Sequence, residues 1–300
     1  MTQALEELVG PEAEVEKVAG GFRFTEGPVW VRQAGCLLFS DIPANAILAW
    51  DREGGATVFR RPVFDGLFSD GQLIGSNGLT LDGGGRLVAC EHGNRRVARF
   101  ESDGRITVLA DRFENKRLNS PNDLVYRSNG DLYFTDPPYG LPKREEDPAR
   151  ELSFNGVFRL AADGLLDAVV TDMSRPNGLA FSPDESKLYI GNSDAKRRVW
   201  MVHDVKPDGS LTRGEVFFDA TQQEAAGSPD GMKVDTLGNL YGTGPGGIWV
   251  FTPGARHLGT IQFPELPANC HWGEEDARTM YVTARTGLYR VPMSVAGLRP

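Results

Sequence analysis

The chain has 300 residues, of which 40% are hydrophobic and 24% charged, so it can bury a sizeable core and is not disordered by composition. The formal net charge of −9 argues against nucleic-acid and anionic-membrane partners, because either would need a basic surface. No apolar run approaches the roughly 18 residues that a membrane-spanning helix needs. We therefore expect a globular protein, and the lack of a secretory signal pattern predicts a cytoplasmic location.

The first 19 residues are rich in Glu, and Leu5, Leu8 and Val15 favour a short helix packed against the outside of the main body. We interpret residues 1–19 as an N-terminal extension and residues 20–300 as a single domain. The three cysteines are odd in number and include no CxxC pair. This pattern suggests neither a disulfide framework nor a zinc site.

A six-residue pattern recurs along the chain, and each copy begins a group of short strands. The copies lie at 25–30, 76–81, 121–126, 176–181 and 229–234, with a weaker sixth at 268–273. Alternating apolar segments bounded by Gly, Asp or Asn follow each copy, as strands do. A unit of roughly 40–50 residues with several short strands is typical of a β-propeller blade. The sequence therefore predicts an all-β, six-bladed β-propeller with a short N-terminal helical extension.

The second position of every copy carries a carboxylate or an amide. These residues are Glu26, Asn77, Asn122, Asn177, Asp230 and Asn269. Equivalent positions of all blades face the central axis of a propeller, so these side chains should converge. A ring of oxygen donors without thiolates suits a hard cation, most simply Ca²⁺, with Zn²⁺, Mg²⁺ or Mn²⁺ as alternatives. A lone Asn-Gly is more often a turn, but Glu26 and Asp230 in the same register favour a shared functional position.

The copies resemble those of the gluconolactonase/regucalcin (senescence marker protein) family. The segments KRLNSPND at 116–123 and YFTDPPYGL at 133–141 are similar to bacterial gluconolactonases in particular. The resemblance extends over nearly the whole chain. It implies a six-bladed propeller with one catalytic divalent metal ion and hydrolysis of lactones.

Carried over position by position, the resemblance also implies a ligand set. The implied metal ligands are Glu26, Asn122, Asn177 and Asp230, and Asn122 would also contact the substrate. Asn77 and Asn269 lie in register but are not standard ligands of the family. They would either support the ligands or serve as turn residues.

Hydrolysis of a lactone, which is a cyclic ester, needs a polarised carbonyl, a water nucleophile and a stabilised oxyanion. We assign Asp230 as the general base, with direct attack by its carboxylate as the alternative. Arg117 and Asn119 are candidates for contacting sugar hydroxyls or the lactone carbonyl, although a solvated loop arginine is an equal interpretation of Arg117. His271 is a candidate for donating to substrate, with a structural histidine as the alternative.

These observations predict a divalent-metal-dependent lactonase of carbohydrate metabolism, a hydrolase of carboxylic ester bonds. Its substrate would be a small sugar lactone such as glucono-1,5-lactone, and the protein would be a monomer or homodimer. Two other functions stay open: an organophosphate or ester hydrolase of the diisopropylfluorophosphatase type, and a non-catalytic calcium-binding propeller. The complete set of oxygen donors argues against the last.

Overall fold

Six four-stranded antiparallel sheets follow one another along the chain in the computed structural model, which describes residues 2–10 and 13–298. In each of the first five, four consecutive strands pair in chain order. We number these sheets as blades 1 to 6. The predicted all-β, six-bladed propeller is confirmed.

The first three blades occupy the N-terminal half of the chain. Blade 1 contains Thr25–Val31, Cys36–Asp41, Ala46–Asp51 and Gly55–Arg60. Blade 2 contains Ser76–Leu81, Leu87–Glu91, Arg96–Phe100 and Ile106–Ala110. Blade 3 contains Leu124–Tyr126, Leu132–Asp136, Gly156–Leu160 and Leu166–Val170. A small hairpin of Arg112–Phe113 and Lys116–Arg117 joins blades 2 and 3.

The other three blades complete the circle. Blade 4 contains Pro176–Phe181, Lys187–Asp194, Arg197–Asp204 and Glu215–Asp219. Blade 5 contains Met232–Val234, Leu240–Gly244, Gly247–Phe251 and His257–Ile261. Blade 6 takes Pro267–Gly273, Thr279–Ala284 and Gly287–Pro292 from the C-terminal part of the chain. The weak sixth copy of the repeat is thus the innermost strand of blade 6.

The fourth strand of blade 6 comes from the other end of the chain. Glu16–Gly20 pairs antiparallel with Gly287–Pro292, and Lys17 lies opposite Tyr289. The structure therefore differs from the predicted boundary at residue 19, because residues 16–20 belong to the propeller. The pairing covers what would otherwise be an exposed sheet edge and closes the circle of blades.

The predicted N-terminal helix is present as Gln3–Val9. The backbone N–H of Leu5 donates to the Thr2 hydroxyl at 3.3 Å and caps its first turn. Leu5 and Val9 are buried in a cluster with Leu258 and Ile261, so the helix packs on the outer strand of blade 5. Within the described residues, no helix combines the length and apolar character needed to cross a membrane.

Apolar side chains fill the spaces between neighbouring blades. Trp200 of blade 4, for example, is fully buried against Phe251 and Trp249 of blade 5, with ring centroids 5.0 and 5.7 Å apart. Because strand residues alternate between the two faces of a sheet, each blade supplies apolar side chains to both of its neighbours. These contacts hold the six innermost strands around one axis and bring their first residues together at one end of the tunnel.

Candidate active site

The six polar residues of the repeat meet where the innermost strands begin. Asn77 donates to the side-chain oxygen of Asn122 at 2.7 Å, and Asn122 donates to that of Asn177 at 2.6 Å. Asp230 is partly exposed, whereas the other five side chains of this set are buried. We call Glu26, Asn77, Asn122, Asn177, Asp230 and Asn269 the polar ring.

The amides of the ring form a directed chain of hydrogen bonds. The Asn77 amide nitrogen also lies 3.2 Å from Nε2 of His92, and the Asn177 amide donates to the Ser193 hydroxyl at 2.8 Å. Burial lowers the pKa of His92 to about 4, so its imidazole is neutral and accepts this bond. Each amide orientation is thereby determined. The oxygens of Asn122 and Asn177 each keep one lone pair for a further partner.

A further carboxylate, which the repeat pattern did not predict, lies beside the polar ring. Asp123 is buried next to Asn122, and the Asn269 amide lies 3.2 Å from Glu26 Oε2 and 3.3 Å from Asp123 Oδ2. In four of the other five copies, glycine stands where Asp123 stands. That departure from the repeat is the sequence signal that could have identified it.

Burial raises the pKa of all three carboxyl groups, and neighbouring carboxylates raise the pKa of two of them further. Burial and the neighbouring charge of Asp123 raise the pKa of Glu26 to about 7. Burial, followed by the charges of Glu26 and Asp123, raises the pKa of Asp230 well above its usual value. The charge of Lys233 lowers the pKa values of Glu26 and Asp123 in part. A cation at the ring would stabilise the ionised forms of all three.

The donor set mixes carboxylates with amides. Among residues 2–10 and 13–298, no three His, Cys, Asp or Glu side chains are grouped so that they could hold a metal ion. A divalent ion at the ring would therefore need the amide oxygens of Asn122 and Asn177 besides the carboxylates of Glu26 and Asp230. Oxygen donors of this kind suit a hard cation.

The glycines that follow the ring residues allow adjacent blades to approach closely. A Cβ atom added at Gly27 would lie 2.0 Å from the backbone oxygen of Asn77, and one at Gly178 would lie 2.1 Å from that of Asp230. The dipeptides Glu26-Gly27 and Asn177-Gly178 therefore lie inside strands that contact the next blade. Their glycines are close-packing positions and not tight turns.

Two of the predicted substrate-binding residues, Arg117 and Asn119, make their side-chain hydrogen bonds outside the polar ring. Arg117 lies in the hairpin before blade 3, where its guanidinium donates to the Asn94 backbone oxygen at 2.6 Å. Asn119 is fully buried, and its amide donates to the backbone oxygens of Asp136 and Phe154, each at 3.0 Å. These hydrogen bonds hold the chain near blade 3, and the role of both residues in binding substrate stays a prediction.

His271 lies in the same strand as Asn269, two residues further along. Its Nδ1 atom is 2.7 Å from the Trp272 backbone oxygen. Burial and the nearby charge of Lys233 lower the pKa of His271 to about 3. The imidazole is therefore neutral near pH 7 and donates a proton from Nδ1 to the backbone, which leaves Nε2 as an acceptor.

Comparison with known proteins adds independent findings. The model of the SMP-30/gluconolactonase/LRE-like region matches residues 24–286. A gluconolactonase of Zymomonas mobilis is 38% identical, over 98% of this chain and 85% of that protein. A pentonolactonase of Haloferax volcanii is 27% identical, over 88% of this chain and 82% of that protein.

A solved structure agrees with these relatives. The gluconolactonase of Xanthomonas campestris superimposes with a TM-score of 0.82 at 32% identity, covering 98% of this chain and 93% of that one. The resemblance predicted from the sequence is confirmed, and so is the prediction of a gluconolactonase-like hydrolase. The relatives that support both are named as lactonases.

Proposed function

The chain belongs to the SMP-30/gluconolactonase/LRE-like family, and from that premise we propose that it hydrolyses the ring ester of a sugar lactone such as glucono-1,5-lactone. The reaction would take place at the polar ring, with a divalent cation, most simply Ca²⁺, held by Glu26, Asn122, Asn177 and Asp230. One observation carries the proposal: buried carboxylates and oriented amides from different blades converge at the mouth of a single tunnel.

The chemistry of the ring fits such a cation. The charge of Asp123 raises the pKa of Glu26, the charges of both raise the pKa of Asp230, and burying uncompensated charge is costly. The amide oxygens of Asn122 and Asn177 each retain a lone pair. When bound, the ion would polarise the lactone carbonyl and make a nearby water more acidic.

Asp230 is the residue that we propose to act on the attacking water. It is the one member of the ring that is partly exposed, so water and substrate can reach it. The charge of a cation at the ring would keep the Asp230 carboxylate ionised, which is the form that can accept a proton from water. Attack by the Asp230 carboxylate itself is the alternative, and ¹⁸O incorporation into the protein during a single turnover separates the two routes.

The remaining ring residues position these groups. Asn269 holds Glu26 and Asp123 with one amide nitrogen, and Asn77 fixes the orientation of the Asn122 amide. The chain of amides ends at His92, which pairs with Asn77, and at Ser193, which pairs with Asn177. Substitution of these residues should therefore alter the geometry of the ligands without removing a ligand.

The test is a pH-indicator assay on glucono-1,5-lactone, a pentonolactone, a simple aliphatic lactone and an organophosphate ester. We expect lactone hydrolysis that is lost with chelator and restored by Ca²⁺. Calorimetry with Ca²⁺ alone should detect binding to the wild-type protein but not to Glu26→Gln. Asp204→Asn, which changes an exposed aspartate in blade 4, is the matched control. Lactone hydrolysis that resists chelation would contradict the metal, and hydrolysis of the organophosphate alone would contradict the lactonase.

A further inference from the structure

Blade 3 differs from the other blades in the connection between its second and third strands. This connection lies at the same end of the propeller as the polar ring, and it runs from Pro137 to Asn155. In blade 4 the equivalent connection is Ala195–Lys196, and in blade 5 it is Pro245–Gly246. We call residues 137–155 the blade 3 loop.

The blade 3 loop is held in place at several points. Buried Arg95 donates to the Ala149 backbone oxygen at 2.7 Å. The Ser120 hydroxyl donates to the Pro137 oxygen at 2.6 Å and accepts from the Gly140 N–H at 2.8 Å. At the other end of the loop, the Asn155 amide donates to the backbone oxygen of Ser174 at 2.6 Å. The loop is therefore a fixed wall beside the tunnel mouth.

Tyr139 of this wall contacts an arginine that belongs to the same segment as a ring residue. The guanidinium carbons of Arg144 and Arg175 lie 5.9 and 5.8 Å from the centroid of its aromatic ring. The Arg175 guanidinium makes two hydrogen bonds of 3.1 Å to the Glu145 carboxylate, so its own position is fixed. Arg175 precedes Asn177 by two residues, which links Tyr139 to the segment that carries a member of the polar ring.

Ser193 and the charge of Asp230 both act on the pKa of the Tyr139 hydroxyl, and the Ser193 hydroxyl itself contacts the backbone of Pro229, the residue before Asp230. The Ser193 hydroxyl already donates its proton to the Pro229 backbone oxygen and accepts from the Asn177 amide. A hydrogen bond between the two hydroxyls must then have Tyr139 as the donor. The lone pairs of the phenol oxygen are then left for another donor, on the side of the propeller where Asp230 is partly exposed.

We propose that Tyr139 determines substrate specificity: its phenol oxygen accepts a hydrogen bond from a hydroxyl of the lactone, and its ring limits the width of the mouth. The proposal rests on the proposed function and deepens it, because it selects polyhydroxylated lactones over lactones without hydroxyl groups. The hydrogen bonds of the loop and the two arginines beside the aromatic ring position the acceptor before substrate arrives, which lowers the entropic cost of binding.

The experiment compares wild type, Tyr139→Phe and Tyr139→Ala on glucono-1,5-lactone and δ-valerolactone, which share the ring size but not the hydroxyls. For Tyr139→Phe we expect KM to rise roughly three- to tenfold for gluconolactone, the usual effect of one neutral hydrogen bond, and to stay unchanged for δ-valerolactone. Tyr139→Ala should raise KM for gluconolactone further. Tyr126→Phe, in the innermost strand of blade 3, is the matched control and should leave both KM values unchanged.

Calorimetry with D-gluconate, which carries the same hydroxyls, gives a readout that does not need turnover. Binding should weaken by a similar factor in Tyr139→Phe. Equal loss on both lactones would indicate that Tyr139 only supports the wall, and unchanged gluconolactone KM or gluconate affinity would remove its role; either result overturns the proposal. If the wild type hydrolyses no lactone, the proposed function fails, and gluconate binding alone then decides for or against Tyr139.

Discussion

The polar ring and the interiors of the blades are both buried, but they are built from opposite chemistry. The interface between blades 4 and 5 packs Trp200, Phe218 and Phe251 against one another with ring centroids 5.0–6.3 Å apart. At the ring, the charges of Glu26 and Asp123 raise the pKa of Asp230 instead of neutralising it. The first region gains stability from burial of apolar area, whereas the second loses stability to bring charge together. Apolar packing between the blades therefore stabilises the fold, and this stability offsets the cost of burying the charged groups of the ring.

Asp230→Asn should have the largest effect, because it should lower activity without lowering stability. We expect kcat to fall about 10²–10⁴-fold, the range for loss of a general base. Without divalent cation, the melting temperature should be equal to or higher than that of the wild type, because one of three mutually repelling carboxylates is gone. Initial rates and thermal unfolding in chelator measure both effects. Near-normal turnover would remove Asp230 from the mechanism.

Phe251→Ala should show the reverse pattern. Phe251 is fully buried and contacts Trp200, Phe217 and Phe218, so its truncation leaves a cavity between blades 4 and 5. We expect the free energy of unfolding to fall by about 3–5 kcal/mol. The kcat of the molecules that stay folded should change little. A large loss of kcat without loss of stability would mean that blade packing and the ring are not separable.

Asp136→Asn tests a buried charge outside the ring. Burial raises the pKa of Asp136 to about 7 from its ordinary 3.8, so the folded protein binds this proton more tightly than the unfolded chain. The group therefore contributes stability below about pH 4, and that stability is lost as the pH rises through about 7. The free energy of unfolding of the wild type should fall between pH 5 and 8. In Asp136→Asn this fall should be smaller by about 1–3 kcal/mol. Exposed Asp103→Asn is the control, and an identical pH dependence in wild type and Asp136→Asn would contradict the assignment.

Lys187→Ala should have the smallest effect. Lys187 pairs with Asp204 at 2.7 Å, but both side chains are largely exposed. Water screens such pairs, so we expect the free energy of unfolding to change by less than about 1 kcal/mol and kcat to stay the same. Chemical denaturation and the lactone assay check this. A larger change would mean that exposed ion pairs, and not only the apolar packing of the blades, stabilise the fold.

The repeat made the blades and the ring positions predictable, because every blade uses the same register. Glu26 and Asp230 could be identified because they replace asparagine at the second position of the repeat. The closing strand Glu16–Gly20 could not be found in this way, because its partner lies far away along the chain and its own residues do not alternate clearly. Pairing between distant segments leaves no local signal.

The residues around blade 3 show a second limit. Arg117 and Asn119 are neighbours of Asn122 in sequence, and this proximity suggested contact with substrate. In the structure their polar groups are used by Asn94, Asp136 and Phe154. Which hydrogen bonds a polar side chain makes depends on the whole loop around it, which sequence spacing does not reveal. The metal ion, the oligomeric state and the cellular location stay predictions.

The closing strand has a consequence for the order of events during synthesis. Residues 16–20 are synthesised before all the other strands of the propeller, whereas their partners at 287–290 belong to its last strand. The closing strand therefore stays unpaired until all six blades have been synthesised. We expect activity to appear in one step, once residues 287–290 are available for pairing, and not gradually as successive blades emerge.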